Sequence, residues 1–311
     1  MTKGIEAVDF ARWSGDPAGF ASDLGSSFER YGFAVIAGHG LPQRLIETCL
    51  EDFREFFAWP VPAKMRYHVK GTGGARGYTP FGVETAKGAT HHDLKEFWHV
   101  GRELPAGHRY RRFMPDNLWV DSIDGFREST LALWDAFDAL GAELLAAIAM
   151  HLGLPTRWFD DQVGEGNSVL RVIHYPPVPP GSSGVRAGAH EDINAITLLL
   201  GAEEAGLQVL DRDGRWLDIN PAPGCLVCNI GDMLQRLSND VLPSTTHRVV
   251  NPAAERAGRA RYSMPFFLHF NPDFEIRTLA GCTGPDRPDR YPEPITADEF
   301  LQQRLREIRL L

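Results

Sequence analysis

At 311 residues and 43% hydrophobic content the chain can bury a large core, in one domain or two. A net charge of -9 and a sequence pI near 5.7, with no Lys/Arg run, argue against nucleic acid or another polyanion as partner. No stretch approaches the roughly 20 apolar residues of a membrane span, and the N-terminus MTKGIEAVDFARWSGD lacks an apolar signal core, so no membrane partner and a cytoplasmic location are the default.

The first half reads mainly helical. Asp16-Pro17 forms an N-cap and N1 pair before Phe20, Leu24 and Phe28, which recur every four residues. Phe33 to Ala37 is a strand, and Leu45, Ile46, Cys49, Leu50, Phe53, Phe56 and Phe57 make a second helical stripe. The segment KGTGGARGYTPFG is too rich in glycine for regular structure and reads as a loop of the kind that carries binding residues. Leu133, Phe137, Leu140, Leu144 and Ile148 mark a long scaffold helix, closed by Gly153 with Pro155 beyond.

From about Leu170 the pattern changes to short β-type runs: LRVIHY, AITLLL, LQVL, RWLDI, CLVCNI, THRVV and RYSMPFFLHF, with a hairpin turn at Asp213-Gly214. Short strands without intervening helices favour a double-sheet jelly roll over a parallel α/β sheet. The fold class expected is therefore mixed α/β (α+β), a jelly-roll core with flanking N-terminal helices. Residues 1–120 read as an N-terminal region packed on the barrel, and 121–311 as scaffold helix and jelly roll, with no Pro/Ser-rich linker between them. Four cysteines are too few for a disulfide scaffold, and the CxxC of Cys225 and Cys228 sits in a strand-like run, so they read as buried structural thiols rather than a zinc or redox pair.

In GAHEDINAITLLL, His190 and Asp192 lie two apart, which on a strand turns both side chains the same way. Two imidazoles and a carboxylate on one face of a metal suit a non-haem Fe(II) oxygenase, and His247 on a later strand supplies the second imidazole. Arg261 and Ser263 follow as a same-face pair in RYSMPFF. His-x-Asp alone is weak, since a given offset holds an acid about one time in eight. THHDLKEFWHV spells it again at His91 and Asp93, but with no β run behind it, so His91 and His92 read as surface or rim residues.

These segments in order, HYPP, GAHEDINAITLLL, GLQVL, GRWLDI, NIGDMLQRLSND, STTHRVV and RYSMPFF, resemble the isopenicillin N synthase-like branch of the Fe(II)/2-oxoglutarate-dependent dioxygenases. VDF, YGFAVIAGHGLP and GYTPFG are similar to that family's N-terminal region, so the likeness covers nearly the whole chain. The resemblance implies a double-stranded β-helix, His190, Asp192 and His247 as iron ligands and as the catalytic set, and Fe(II), 2-oxoglutarate and O₂ as cofactor and co-substrates. It implies oxidation of a small molecule, by default hydroxylation, with release of succinate and CO₂. Glu191, between the two ligands, should face solvent.

A 2-oxo acid has a distal carboxylate that Arg261 can meet in bidentate fashion, with Ser263 beside it. Tyr175 matches a family tyrosine that reaches the same carboxylate, whereas Ile173 stands where many members carry Asn. The Arg-x-Ser pair also occurs in relatives that bind their own substrate's carboxylate there. An Fe(II) oxidase of the same fold that uses no 2-oxoglutarate is thus the alternative, and a non-catalytic metal-binding jelly roll a third reading. Strand parity puts Arg171 and Ile173 with Tyr175, and Pro265, Phe267 and His269 with Arg261. With Arg76 and Tyr78 from the glycine-rich loop, Arg171, Ile173 and Phe267 are the candidate substrate contacts, and an inward Arg171 would favour an acidic substrate.

Overall fold

The computed structural model describes residues 5–71, 74–83, 92–178, 184–200, 206–252 and 257–307. The first half holds β1 (Ala7–Asp9), α1 (Pro17–Tyr31), β2 (Phe33–Ala37), α2 (Gln43–Ala58), α3 (Val61–Lys64), β3 (Gly77–Thr79), β4 (Glu96–Gly101) and α4 (Phe126–His151). There follow α5 (Asp160–Val163), β5 (Val169–Tyr175), β6 (Ala187–His190), β7 (Ile196–Leu200), β8 (Leu207–Leu210), β9 (Trp216–Asp218) and β10 (Leu226–Ile230). The chain closes with α6 (Asp232–Leu237), β11 (His247–Val249), β12 (Arg261–Leu268), β13 (Glu275–Ile276), β14 (Ile295–Thr296) and α7 (Ala297–Glu307).

Local chemistry sets the helix ends. The Asp16 carboxylate accepts from the Gly19 amide at 3.0 Å, satisfying one of the donors left over at the start of α1. α4 ends where Gly153 takes φ +72°: the Leu154 amide reaches back to the Ala149 carbonyl at 2.8 Å and the Gly153 amide to Met150 at 3.1 Å. That pair of bonds is a Schellman closure. Among the described residues no helix is long and apolar enough to cross a membrane.

The strands form an eight-stranded sheet, ordered β1-β2-β10-β7-β12-β5-β4-β3, and a four-stranded sheet, β6-β11-β8-β9. All pairings are antiparallel except β1 with β2. The alternation of strand side chains then makes three layers. Ala34, Ile36, Trp98, Leu170, Val172, Leu198, Cys228 and Phe266 point from the large sheet into the helices, within the main apolar core. Phe33, Val35 and Val227 point the other way and meet Ala187, Leu207, Val209 and Val249 of the small sheet. This is a jelly roll with helices covering one outer face. Cys228 packs on the helix side and Cys225 against the inter-sheet core, so the CxxC pair is split between faces and all four cysteines are free.

α4 approaches the sheet closely at Gly141, where a Cβ would lie 2.3 Å from Leu268 Cδ1. Leu268 is fully buried, so moving its Cδ1 aside pushes it into its core neighbours. Gly141→Ala is therefore expected to cost about 1–3 kcal/mol by overpacking, despite alanine's better helix propensity. A urea midpoint at or above that of the parent would refute this.

Two sequence expectations are corrected. Glu96–Gly101 is a strand, fully buried along its length, where the sequence shows no β run behind His91 and Asp93. It pairs with β5 from Glu96↔His174 to Gly101↔Val169, and the loop segment GYT becomes β3 on its outer edge. His92 is exposed as expected, while His91 lies outside the described residues. In addition, His190 and Asp192 do not share a strand: β6 ends at His190 in the small sheet and β7 lies in the large one, so the segment crosses between them with Asp192 on the link.

Candidate active site

That crossing brings three donors together. His190 ends β6, His247 begins β11 directly opposite it, and Asp192 sits on the link to β7. Asp192 Oδ1 lies 3.8 Å from Nε2 of both His190 and His247. One ligand atom from each of the three residues falls within 4.8 Å of the others, the only such cluster among the described residues.

Hydrogen bonds orient every member. Asp192 Oδ2 accepts from Thr197 Oγ1 at 2.6 Å and Asn229 Nδ2 at 2.8 Å, which leaves Oδ1 aimed at the imidazoles. Nδ1 of His190 donates to the Gly188 carbonyl at 2.8 Å, and Nδ1 of His247 to Thr245 at 3.1 Å. With Nδ1 carrying the proton, both Nε2 lone pairs face the centre. Enclosure by the protein, with His247 beside it, pushes His190 down to about 4, so it stays neutral and able to donate at physiological pH. Burial alone would raise the Asp192 carboxyl; His247, His190 and the bonds from Asn229 and Thr197 outweigh it and hold it below the usual range. Two imidazoles and one free carboxylate oxygen fit Fe(II), and three protein donors leave positions for other ligands. Glu191 is exposed and accepts from Thr246 Oγ1 at 2.8 Å, facing away as expected.

The large sheet supplies the rest of the interior. Arg261 pairs with Tyr175 and Ser263 with Ile173 across β12 and β5, so all four point between the sheets. Each is nearly inaccessible, and the Arg261 guanidinium lies 4.9 Å from the Tyr175 ring centroid and 3.4 Å from Ser263 Oγ. Arg171 is one pair further along, opposite His99, its guanidinium 4.2 Å from the Phe97 ring and 5.2 Å from that of Phe267. Arg76 is buried over Gly101, where a Cβ would fall 1.9 Å from its Nη2. Tyr78 does not join them. Its ring packs 5.6 Å from Phe56 and its hydroxyl donates to Glu96, both on the helix side of the sheet, because Tyr78 is paired with Trp98 rather than with His99.

Several supporting residues were not foreseen. Thr197 and Asn229 steer Asp192, and Arg186 is fully buried 6.0 Å from the Tyr175 ring. Asp93 is buried: it pairs with Lys95 at 2.9 Å and accepts from the Gly188 amide at 3.0 Å, fixing the strand that carries His190. An amide in the middle of the apolar run CLVCNI was the available signal for Asn229, since a buried polar side chain needs a partner.

Residues 5–122 match the family model described as non-haem dioxygenase in morphine synthesis N-terminal, and residues 166–270 match the 2OG-Fe(II) oxygenase superfamily. The chain is 35% identical to the 2-oxoglutarate-Fe(II) type oxidoreductase hxnY of Emericella nidulans, over 89% of this chain and 81% of that one. A Caulobacter crescentus structure assigned to the 2OG-Fe(II) oxygenase family superposes with TM-score 0.93 at 59% identity, covering 99% of this chain and 100% of that one. A Neurospora crassa structure in complex with alpha-KG (2-oxoglutarate) and thymine gives TM-score 0.85 at 30% identity, covering 97% and 96%.

Proposed function

The chain belongs to the 2-oxoglutarate-Fe(II) oxygenase superfamily, and from that premise we propose that His190, Asp192 and His247 hold its iron. Arg261, Ser263 and Tyr175 receive the distal carboxylate of 2-oxoglutarate, and a small-molecule substrate is hydroxylated between the sheets beside them. The observation that carries this reading is the Asp192 carboxylate, one oxygen tied by Thr197 and Asn229 and the other 3.8 Å from two Nε2 atoms. The thymine complex of the Neurospora protein supports a substrate of small-molecule size. Four free cysteines are compatible with a reducing cytoplasm.

Bound Fe(II) supplies the activation of O₂, coupled to oxidative decarboxylation of 2-oxoglutarate to succinate and CO₂. The chain's residues hold and orient. The backbone carbonyls of Gly188 and Thr245 fix the two imidazole tautomers, and Asn229 and Thr197 keep the carboxylate from turning. Arg261 offers a planar donor fork suited to a carboxylate, and its burial strengthens that contact by excluding water.

The test is an anaerobic titration with Fe(II) and then 2-oxoglutarate, following the visible charge-transfer band of a chelated 2-oxo acid. The band is expected in the parent protein. In Arg261→Ala it should require roughly 10–100-fold more 2-oxoglutarate, the loss of a charge-assisted hydrogen bond worth about 1.5–3 kcal/mol. Bound Fe(II) without a band, and substrate oxidation without succinate, would instead indicate an oxidase whose own substrate fills the Arg261 position.

A further inference from the structure

Arg76 is a buried cation that the described residues leave without an acid. It is 4% exposed, and its contacts are neutral: Nη1 donates to the Ala75 carbonyl at 2.7 Å and Nη2 to Asn167 Oδ1 at 3.3 Å. Among the described residues its Nε has no hydrogen-bond partner. Among the described residues no carboxylate lies within ion-pair distance of it, and burial pulls the guanidinium down to about 10 with nothing opposing. A guanidinium so placed is costly to a fold unless an anion completes it.

Arg76 lies on the inward face of the large sheet, the face that also carries Arg171. Gly101, over which it lies, closes β4 one step beyond the His99↔Arg171 pair. His99 Nδ1 faces the Gly74 carbonyl at 2.6 Å, so its Nε2 accepts from Arg171 Nε at 2.5 Å, and Arg171 is held on this same face. His269, buried just past the end of β12, lies within electrostatic reach of both the Asp192 carboxylate and the Arg76 guanidinium. Phe267, between His269 and Ser263 along the chain, is paired with Thr197, whose hydroxyl holds Asp192. The inward positions of β4, β5 and β12 carry no acid, although the whole chain has a net charge of -9.

We propose that Arg76, with Arg171 and Asn167 beside it, forms an anion subsite distinct from the Arg261 end, and that the primary substrate is a small carboxylate anchored there while its far end meets the metal. The inference rests on the function proposed above, since it takes the triad as the place of oxidation. Arg76 is a binding and specificity residue: its planar fork selects a carboxylate over an amide of the same shape.

Ligand-induced thermal shifts test the subsite without turnover. Metal-free protein saturated with 2-oxoglutarate is titrated with acetate, propionate and phenylacetate, and with acetamide, propionamide and phenylacetamide at matched ionic strength. At least one carboxylate is expected to raise Tm while its amide does not. Arg76→Met should weaken that carboxylate at least tenfold, and by more than Arg261→Met does. Arg171→Met should also weaken it, and serves as the readout if Arg76→Met does not fold. Equal responses to acid and amide, no response to any acid, or a response removed by Arg261→Met and not by Arg76→Met would overturn the proposal. A chain that makes succinate but ignores these carboxylates refutes the subsite alone. One that binds them through Arg76 but forms no Fe(II)-2-oxoglutarate band refutes the function alone.

Discussion

Asp192→Ala is expected to lower Fe(II)-dependent succinate formation by roughly a thousandfold or more. Even outer partners of a metal site typically cost about 10–100-fold when removed, and this substitution deletes the one carboxylate donor of the cluster. Asn229→Ala and Thr197→Val should fall in that smaller range, because each leaves Asp192 in place but frees the oxygen that is now tied at 2.8 and 2.6 Å. Succinate assays and equilibrium dialysis of Fe(II) on the three variants would check the order. If Asp192→Ala keeps activity within tenfold of the parent, the assignment of the metal site is wrong.

The second large effect lies on the other face of the same sheet. Glu96 accepts from Lys64 Nζ at 2.8 and 2.9 Å, from the Tyr78 hydroxyl and from His174 Nδ1 at 2.8 Å, and Lys64 also donates to the Phe57 carbonyl at 3.0 Å. Glu96 and Lys64 are 5% and 4% exposed, so this network pins α3 to β3, β4 and β5 with little solvent. Glu96→Ala strands a buried ammonium and is expected to cost about 3–5 kcal/mol, read from urea unfolding. Replacing both charges, as in Lys64→Met with Glu96→Leu, should recover most of that loss, since two well-packed apolar side chains avoid the desolvation of both ions.

A pH dependence follows. Burial alone would raise the Glu96 carboxyl, but the bonds from His174, Lys64 and Tyr78 prevail and its value lies below the ordinary one. A depressed carboxyl contributes stability that is complete above its unfolded value and is lost as pH falls through the folded value. The stability gap between parent and Glu96→Ala should therefore shrink on acidification below about pH 4, the ordinary carboxylate range. A gap that widened there would contradict the network.

Short-range chemistry was legible in the residues themselves. Asp16 before Pro17 caps α1, Gly153 closes α4, and Gly214, at φ +77°, turns β8 into β9 with the Asp211 carboxylate accepting from the Asp213 and Arg215 amides. Strand parity placed Arg261 with Ser263, and Arg171 with Ile173 and Tyr175, because alternation along a strand is decided by the backbone alone. The three donors could be named from residue type and order.

Pairing between distant segments was not legible. KEFWHV becomes the fully buried β4 only because β5 and β3 flank it on both sides, and Tyr78 faces the helices because its partner is Trp98. Asp192 is steered by Asn229, 37 positions away, across the β7 and β10 pairing. Asp93 supports His190 from a segment with no β run of its own. The sequence by itself determined the helix caps, the faces of the strands and the identity of the candidate metal donors, all properties of neighbouring residues. Only the tertiary structure decided which edges meet, which carboxylate oxygen is free, and that Arg76 is enclosed with no acid beside it among the described residues, because burial and hydrogen-bond partners are set by chain segments brought together in folding.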